Sequence, residues 1–165
     1  MEQQEIAGQQ DRRLSQPATA IIVGAGHRAI LYASYAEKHP EQLRIVGVVE
    51  PDEVRRKQTA ERFALSEDAA YASVEELVAT SGKIADAAIN GTMDALHVPT
   101  TLPLLQAGYD VLLEKPMGIN EEEVRELISY ARKYDRNVMI CHVLRYAPFY
   151  SEIYNRIAAG DIGEI

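Results

Sequence analysis

The chain has 165 residues, enough for one domain with its own core. Its formal net charge of −8 argues against a protein that grips a phosphate backbone with a basic face, so nucleic acid is not an expected partner. With a single cysteine, Cys141, there is no intrachain disulfide and no cysteine-rich zinc site, and a reducing, cytoplasmic setting is expected. No apolar run reaches membrane-spanning length, and residues 1–17 (MEQQEIAGQQDRRLSQP) are polar and lack the apolar centre of a signal peptide, so they read as a loose tail.

From residue 18 onward, apolar runs rich in β-branched residues alternate with helical patterns. Ala18–Val23 (ATAIIV) reads as a strand covered on both faces, followed by a helix from the glycine turn at 24–29 to about His39, stopped by Pro40. Leu43–Val49 is the second strand, residues 52–64 a charged helix, and Tyr71 marks a very short third strand. Ser73 with Glu76 forms a capping box that starts a helix. Ala85–Asn90 is the fourth strand, with a helix from Asp94, taken as its N-cap, to Ala107. Asp110–Glu114 is the fifth strand, a helix capped by Asn120 and Glu123 runs to about Tyr134, Val138–His142 is the sixth strand, and a last helix covers about Pro148 to Ala159. Such alternation predicts an α/β, doubly wound parallel sheet, a three-layer αβα Rossmann fold.

In such a sheet ligands bind beyond the carboxyl ends of the strands. After the first strand comes Gly24-Ala25-Gly26-His27-Arg28-Ala29, a dinucleotide fingerprint with alanine in the third small position. Gly24 permits the tight turn, Gly26 lets backbone approach a pyrophosphate, and the helix N-terminus at His27 and Arg28 offers free N–H groups. Glu50 ends the second strand, where a carboxylate accepts from adenosine ribose hydroxyls and repels a 2′-phosphate, favouring NAD with NADP as the alternative. Arg55 and Arg56 follow closely; they could soften that preference, but a solvated helix face is the favoured reading. After the fourth strand come Asn90, Gly91 and Thr92, with His97 one turn into the next helix as a site-lining or structural histidine; Asp94 and His97 make a poor metal pair, and no metal is expected. After the fifth strand, Glu114-Lys115-Pro116 is either a surface ion pair at a turn or a lysine fixed where it can relay a proton. After the sixth come His142, Arg145, Tyr146 and Pro148, while Cys141 reads as a small buried hydrophobe.

Taken together, GAGHRA, the acidic second strand end, NGTMDALH, LLEKPM, LRYAP and GDIGEI resemble the glucose–fructose oxidoreductase / inositol dehydrogenase (Gfo/Idh/MocA) family over about residues 18–165. The resemblance implies NAD(P)-linked oxidation or reduction of a carbinol on a sugar, cyclitol or related polyol. It implies that Lys115 is catalytic, beside nicotinamide and substrate, with Glu114 positioning it. It also places Arg145 and Tyr146 in the segment flanking the cofactor, and gives a cis Lys115–Pro116 peptide. Ala29 stands where the family usually has glycine, and Asn90-Gly91-Thr92-Met93 replaces a run that usually ends in threonine-proline. The family's α+β substrate domain and its Asp-x-x-x-His element are absent from this sequence, so the chain reads as a cofactor domain over 18–142. Residues 143–165 then form a connecting helix and the start of the missing substrate domain, in a fragment expected to bind cofactor without turnover. Homo-oligomerisation is a further expectation. Two other readings stay open on the residues alone: a nucleotide-binding module without chemistry of its own, and an S-adenosylmethionine-dependent methyltransferase.

Overall fold

The computed structural model describes residues 16–163, so the tail expected over 1–17 lies, up to residue 15, outside the described residues. In chain order the elements are β1 (Ala18–Val23), α1 (His27–Ala33), α2 (Tyr35–Lys38), β2 (Leu43–Val49), α3 (Glu53–Arg62) and β3 (Ala70–Tyr71). There follow α4 (Val74–Thr80), β4 (Ala87–Asn90), α5 (His97–Gln106), β5 (Asp110–Leu113), α6 (Glu121–Lys133), β6 (Val138–Ile140) and α7 (Pro148–Ala158). The six strands form one sheet in the order β3-β2-β1-β4-β5-β6, and every neighbouring pair is parallel. The order reverses between β1 and β4, which opens a crevice at the carboxyl ends of those two strands.

Alternation along β1 explains why the sheet is covered on both faces. Ile21 and Val23 enter a cluster with Val74 and Leu77 of α4, Val98, Leu104 and Leu105 of α5 and Leu127 of α6. Ala20 and Ile22 enter a second cluster with Ala29 and Ala33 of α1, Ala36 of α2 and, from the sheet, Val48 and Ile89. Small residues on α1 let its backbone come close to the strands. The contact is tightest where a Cβ on Gly91 would lie 2.9 Å from the Ala29 Cβ and 3.1 Å from the Ala29 nitrogen. Gly24 has φ +77°, and a Cβ there would lie 2.9 Å from the Thr92 Cα. The turns after β1 and β4 therefore touch.

Local chemistry sets the helix ends. Asp52 accepts from Arg55 N–H at 2.8 Å, Ser73 from Glu76 N–H at 3.1 Å, and Asn120 from Glu123 N–H at 2.9 Å. The Glu76 and Glu123 carboxylates reach back to Ala72 N–H (2.6 Å) and Ile119 N–H (2.9 Å), completing both expected boxes one residue upstream of the cap. α6 adds Glu121–Glu123 in its first turn and Arg132 and Lys133 in its last, matching the helix dipole.

Several boundaries differ from expectation. The first helix is two, because it breaks at Ser34, whose hydroxyl donates to Leu31 O at 2.7 Å. Asp94 is not an N-cap: it opens a 3₁₀ turn over Asp94–Leu96, with Met93 at the cap position and no side-chain cap bond. β4 starts at Ala87 rather than Ala85, β5 ends at Leu113 before Glu114, and β6 ends at Ile140 before His142. A 3₁₀ turn over Val143–Tyr146 leads into α7, and neither segment buries a residue.

Gly91→Ala tests the closeness of the two turns. The added methyl meets backbone as well as side chain, so a loss of about 1–3 kcal/mol is expected, read as a lower midpoint in urea unfolding. A midpoint equal to the parent's would show that the Ala29–Gly91 contact is loose.

Candidate functional site

The hydrogen-bond ladder runs one residue past the ends of β1, β2, β4, β5 and β6. Gly24 N–H donates to Val49 O (2.8 Å), Glu50 N–H to Tyr71 O (3.0 Å), Gly91 N–H to Val23 O (2.9 Å), Glu114 N–H to Asn90 O (2.9 Å) and Cys141 N–H to Leu113 O (2.8 Å). Gly24, Glu50, Gly91, Glu114 and Cys141 therefore stand along one rim at the carboxyl edge of the sheet.

At the centre of that rim Gly26 precedes α1, and the helix has no side-chain cap. This contrasts with α3, α4 and α6, each capped by a side-chain oxygen. A Cβ on Gly26 would meet only Gly91 O, at 3.8 Å, so the space above the turn is open. His27 and Arg28 are exposed beside it. The first-turn N–H groups thus face the rim without a side-chain acceptor, the arrangement that suits a pyrophosphate.

Glu50 lies to one side of the turn and is 3% exposed. Its Oε2 accepts from Ala25 N–H at 2.8 Å, and its Oε1 accepts from Asp52 N–H at 2.9 Å and lies 3.1 Å from Arg55 Nη2. The carboxylate therefore shapes the glycine turn itself. Arg56 donates from Nη1 to Glu50 O at 2.5 Å and to Pro51 O at 3.1 Å. Two arginines expected to be merely solvated on a helix face are instead tied to the loop that carries Glu50.

Asn90, 1% exposed, spends its side chain internally. Its amide nitrogen donates to Thr100 Oγ1 (2.8 Å) and Thr101 Oγ1 (2.9 Å), while its oxygen accepts from Thr92 Oγ1 (2.9 Å) and Thr92 N–H (3.2 Å). Asn90 holds the turn against α5 rather than presenting its amide to the rim. His97 is also buried, with Nδ1 2.6 Å from Pro116 O and Nε2 3.1 Å from Thr92 O. The ring braces the turn after β4 against the turn after β5, which makes it a structural strut.

On the other side lies Glu114-Lys115-Pro116, whose Lys115–Pro116 peptide is cis. Glu114 is 7% exposed, whereas Lys115 is exposed. Glu114 Oε2 accepts from Lys115 N–H at 2.8 Å, and Oε1 accepts from the Tyr32 hydroxyl at 2.5 Å. Glu114 orients Lys115 through its backbone, not by an ion pair with its ammonium. Burial, the bond to Glu114 and the carboxylate's charge push the Tyr32 phenol well above the ordinary tyrosine range. Burial, with Glu114 nearby, also raises the buried Cys141 thiol. Tyr32 is absent from the sequence-based site because its partner is 82 residues away and no local pattern marks the contact. Arg145 sits on the turn after β6 and lines a cleft of about 580 Å³ with Leu144, Tyr150 and Tyr154.

This geometry agrees with comparison to known proteins. Residues 19–142 match the model of the Gfo/Idh/MocA oxidoreductase family, NAD-binding Rossmann fold. A trans-1,2-dihydrobenzene-1,2-diol dehydrogenase of Mus musculus is 32% identical over 87% of this chain and 42% of its own. An inositol 2-dehydrogenase of Corynebacterium glutamicum is 24% identical over the same shares. A solved myo-inositol 2-dehydrogenase of Lactobacillus plantarum superposes with a TM-score of 0.80 at 21% identity, over 91% of this chain and 43% of that one. The chain belongs to the Gfo/Idh/MocA oxidoreductase family and carries its NAD-binding Rossmann domain. It spans about two-fifths of the length of the curated relatives it matches.

Tyr32→Phe tests the bond beneath Lys115. A phenol whose pKa is raised by folding contributes stability that is complete below the unfolded value, about 10, and is lost as pH rises through the folded value. The parent should therefore lose more stability than Tyr32→Phe between about pH 9.5 and 11, followed by urea unfolding at each pH. Parallel losses in the two proteins would show that Tyr32 does not carry the shift.

Proposed function

We propose that the rim binds a nicotinamide dinucleotide along its length and that the protein oxidises or reduces a carbinol of a sugar, cyclitol or related polyol, in the cytoplasm. The observation that carries this is the uncapped start of α1. Its N–H groups open onto the same edge as Lys115, with Gly24, Gly26 and Gly91 keeping side chains out of the way. Residues of the glycine turn, Glu50, and the backbone of Asn90, Gly91 and Thr92 form the cofactor side. His27, Arg28 and Arg145 flank it.

Bound there, the dinucleotide would supply the hydride acceptor or donor. Lys115 Nζ hydrogen-bonds the reacting oxygen and carries its proton. Glu114 fixes the lysine backbone, and His97 holds the two loops that bracket the site. The relatives named for inositol and for a dihydrodiol support a secondary alcohol as the reacting group.

Fluorescence titration with NADH, beside calorimetry with S-adenosylmethionine, tests the binding claim: NADH should bind and S-adenosylmethionine should not. In the intact protein, with NAD and a panel of polyols, Lys115→Ala should lower turnover about 10²–10⁴-fold while NADH affinity stays within about threefold. A variant with unchanged turnover removes Lys115 from the chemistry. Failure of the parent chain to bind NADH removes the dinucleotide site.

A further inference from the structure

We infer that Tyr32 is a positioning residue for Lys115, acting through the Glu114 carboxylate; the inference rests on the role of Lys115 proposed above. The Lys115 backbone lies just beyond the reach of the sheet. The last ladder bonds at the end of β5 are Glu114 N–H to Asn90 O and Cys141 N–H to Leu113 O. Lys115 N–H is the next donor, and it turns to Glu114 Oε2 at 2.8 Å. Pro116 follows and has no N–H to offer. The chain is caught again at Pro116 O, 2.6 Å from His97 Nδ1. Between those points, among the described residues, the backbone under the lysine is held by one side-chain acceptor.

Such an acceptor holds a donor no more firmly than it is itself held. The other oxygen of Glu114, Oε1, accepts from the Tyr32 hydroxyl at 2.5 Å, and among the described residues no cation pairs with this carboxylate. The titratable groups around the pair are few. Cys141 lies beside the Tyr32 hydroxyl after β6, and His97 of α5 faces carbonyls. Burial and the bond to Glu114 push the phenol up, and burial pushes the thiol up, so both are neutral and Tyr32 remains a donor at neutral pH. The contact is thus a neutral donor on a buried carboxylate, one of the stronger kinds of hydrogen bond.

Removing the hydroxyl leaves Oε1 without a donor in a residue that is 7% exposed. A buried oxygen in that state carries a desolvation cost, and rotation of the carboxylate toward another donor or water relieves it. The same rotation takes Oε2 off Lys115 N–H. Loss of Tyr32 therefore misplaces the lysine, although the two side chains do not touch.

Amide hydrogen exchange of the 165-residue chain, read by NMR without cofactor, tests this directly. Tyr32→Phe should speed exchange at Lys115 N–H at least tenfold relative to Gly24 and Gly91 N–H on the same rim. Glu114→Gln should do the same. Ser34→Ala, which loosens the end of α1 without touching Tyr32, should leave the ratio as in the parent. In the intact protein, Tyr32→Phe should lower kcat roughly 10–100-fold with polyol KM and NADH affinity within threefold. Added to Glu114→Gln it should cost less than a further twofold, because the two residues act in series. An unchanged exchange ratio in Tyr32→Phe overturns the inference, and so does faster exchange with parental kcat. Full additivity with Glu114→Gln overturns the route through Glu114. A parent without turnover removes the function proposed above, and the exchange ratio then decides the positioning by itself.

Discussion

The parallel hydrogen-bond ladder is the constraint on which the rest depends. In each of the five neighbouring pairs, the last carbonyl of one strand accepts from the residue just past the end of its partner, and this overrun fixes Gly24, Glu50, Gly91, Glu114 and Cys141 in a row. Position along the sheet is then set by backbone, which costs the side chains nothing. Chemistry at the rim is free to vary, while its spacing is not. The two touching turns after β1 and β4 are the tightest point of that row, and they demand small residues on both sides.

Behind the rim, polar side chains do the bracing. Asn90 pins the turn after β4 to α5, His97 ties that turn to the one after β5, and Glu50 ties the glycine turn to the loop after β2. These are buried groups with satisfied partners; among the described residues, no buried side-chain nitrogen or oxygen lacks one. Rigidity of this kind suits a site that must hold a long, flexible ligand in one orientation, because little ordering is left to be done on binding.

Much of this was legible in the sequence. The strands are short runs of β-branched and small apolar residues, the capping boxes at Ser73 and Asn120 are local, and the glycine spacing carries its own geometry. What escaped was decided elsewhere in space. The break at Ser34, where Glu37 N–H turns to Ser34 O and the serine hydroxyl bonds Leu31 O, has no marker in the local apolar pattern. Asp94 looks like a cap, but the chain enters α5 through a 3₁₀ turn that needs none. Asn90 follows a strand and looks like a ligand contact, yet two threonines a turn into α5 claim its amide. Arg55 looks solvated by charge pattern alone. Only the fold shows that its nearest acceptor is buried Glu50.

The Tyr32–Glu114 bond has an implication for anyone recombining such domains. α1 carries the glycine turn at its start and Tyr32 near its end, and Tyr32 bonds the residue that holds the Lys115 backbone. The first βα unit and the segment after β5 are thus a matched set despite lying far apart in the chain. A chimera cut between them inherits its nucleotide grip from one parent and the support of its lysine from the other. Shuffling schemes that place a crossover between residues 33 and 113 have to keep tyrosine and glutamate together, or replace both.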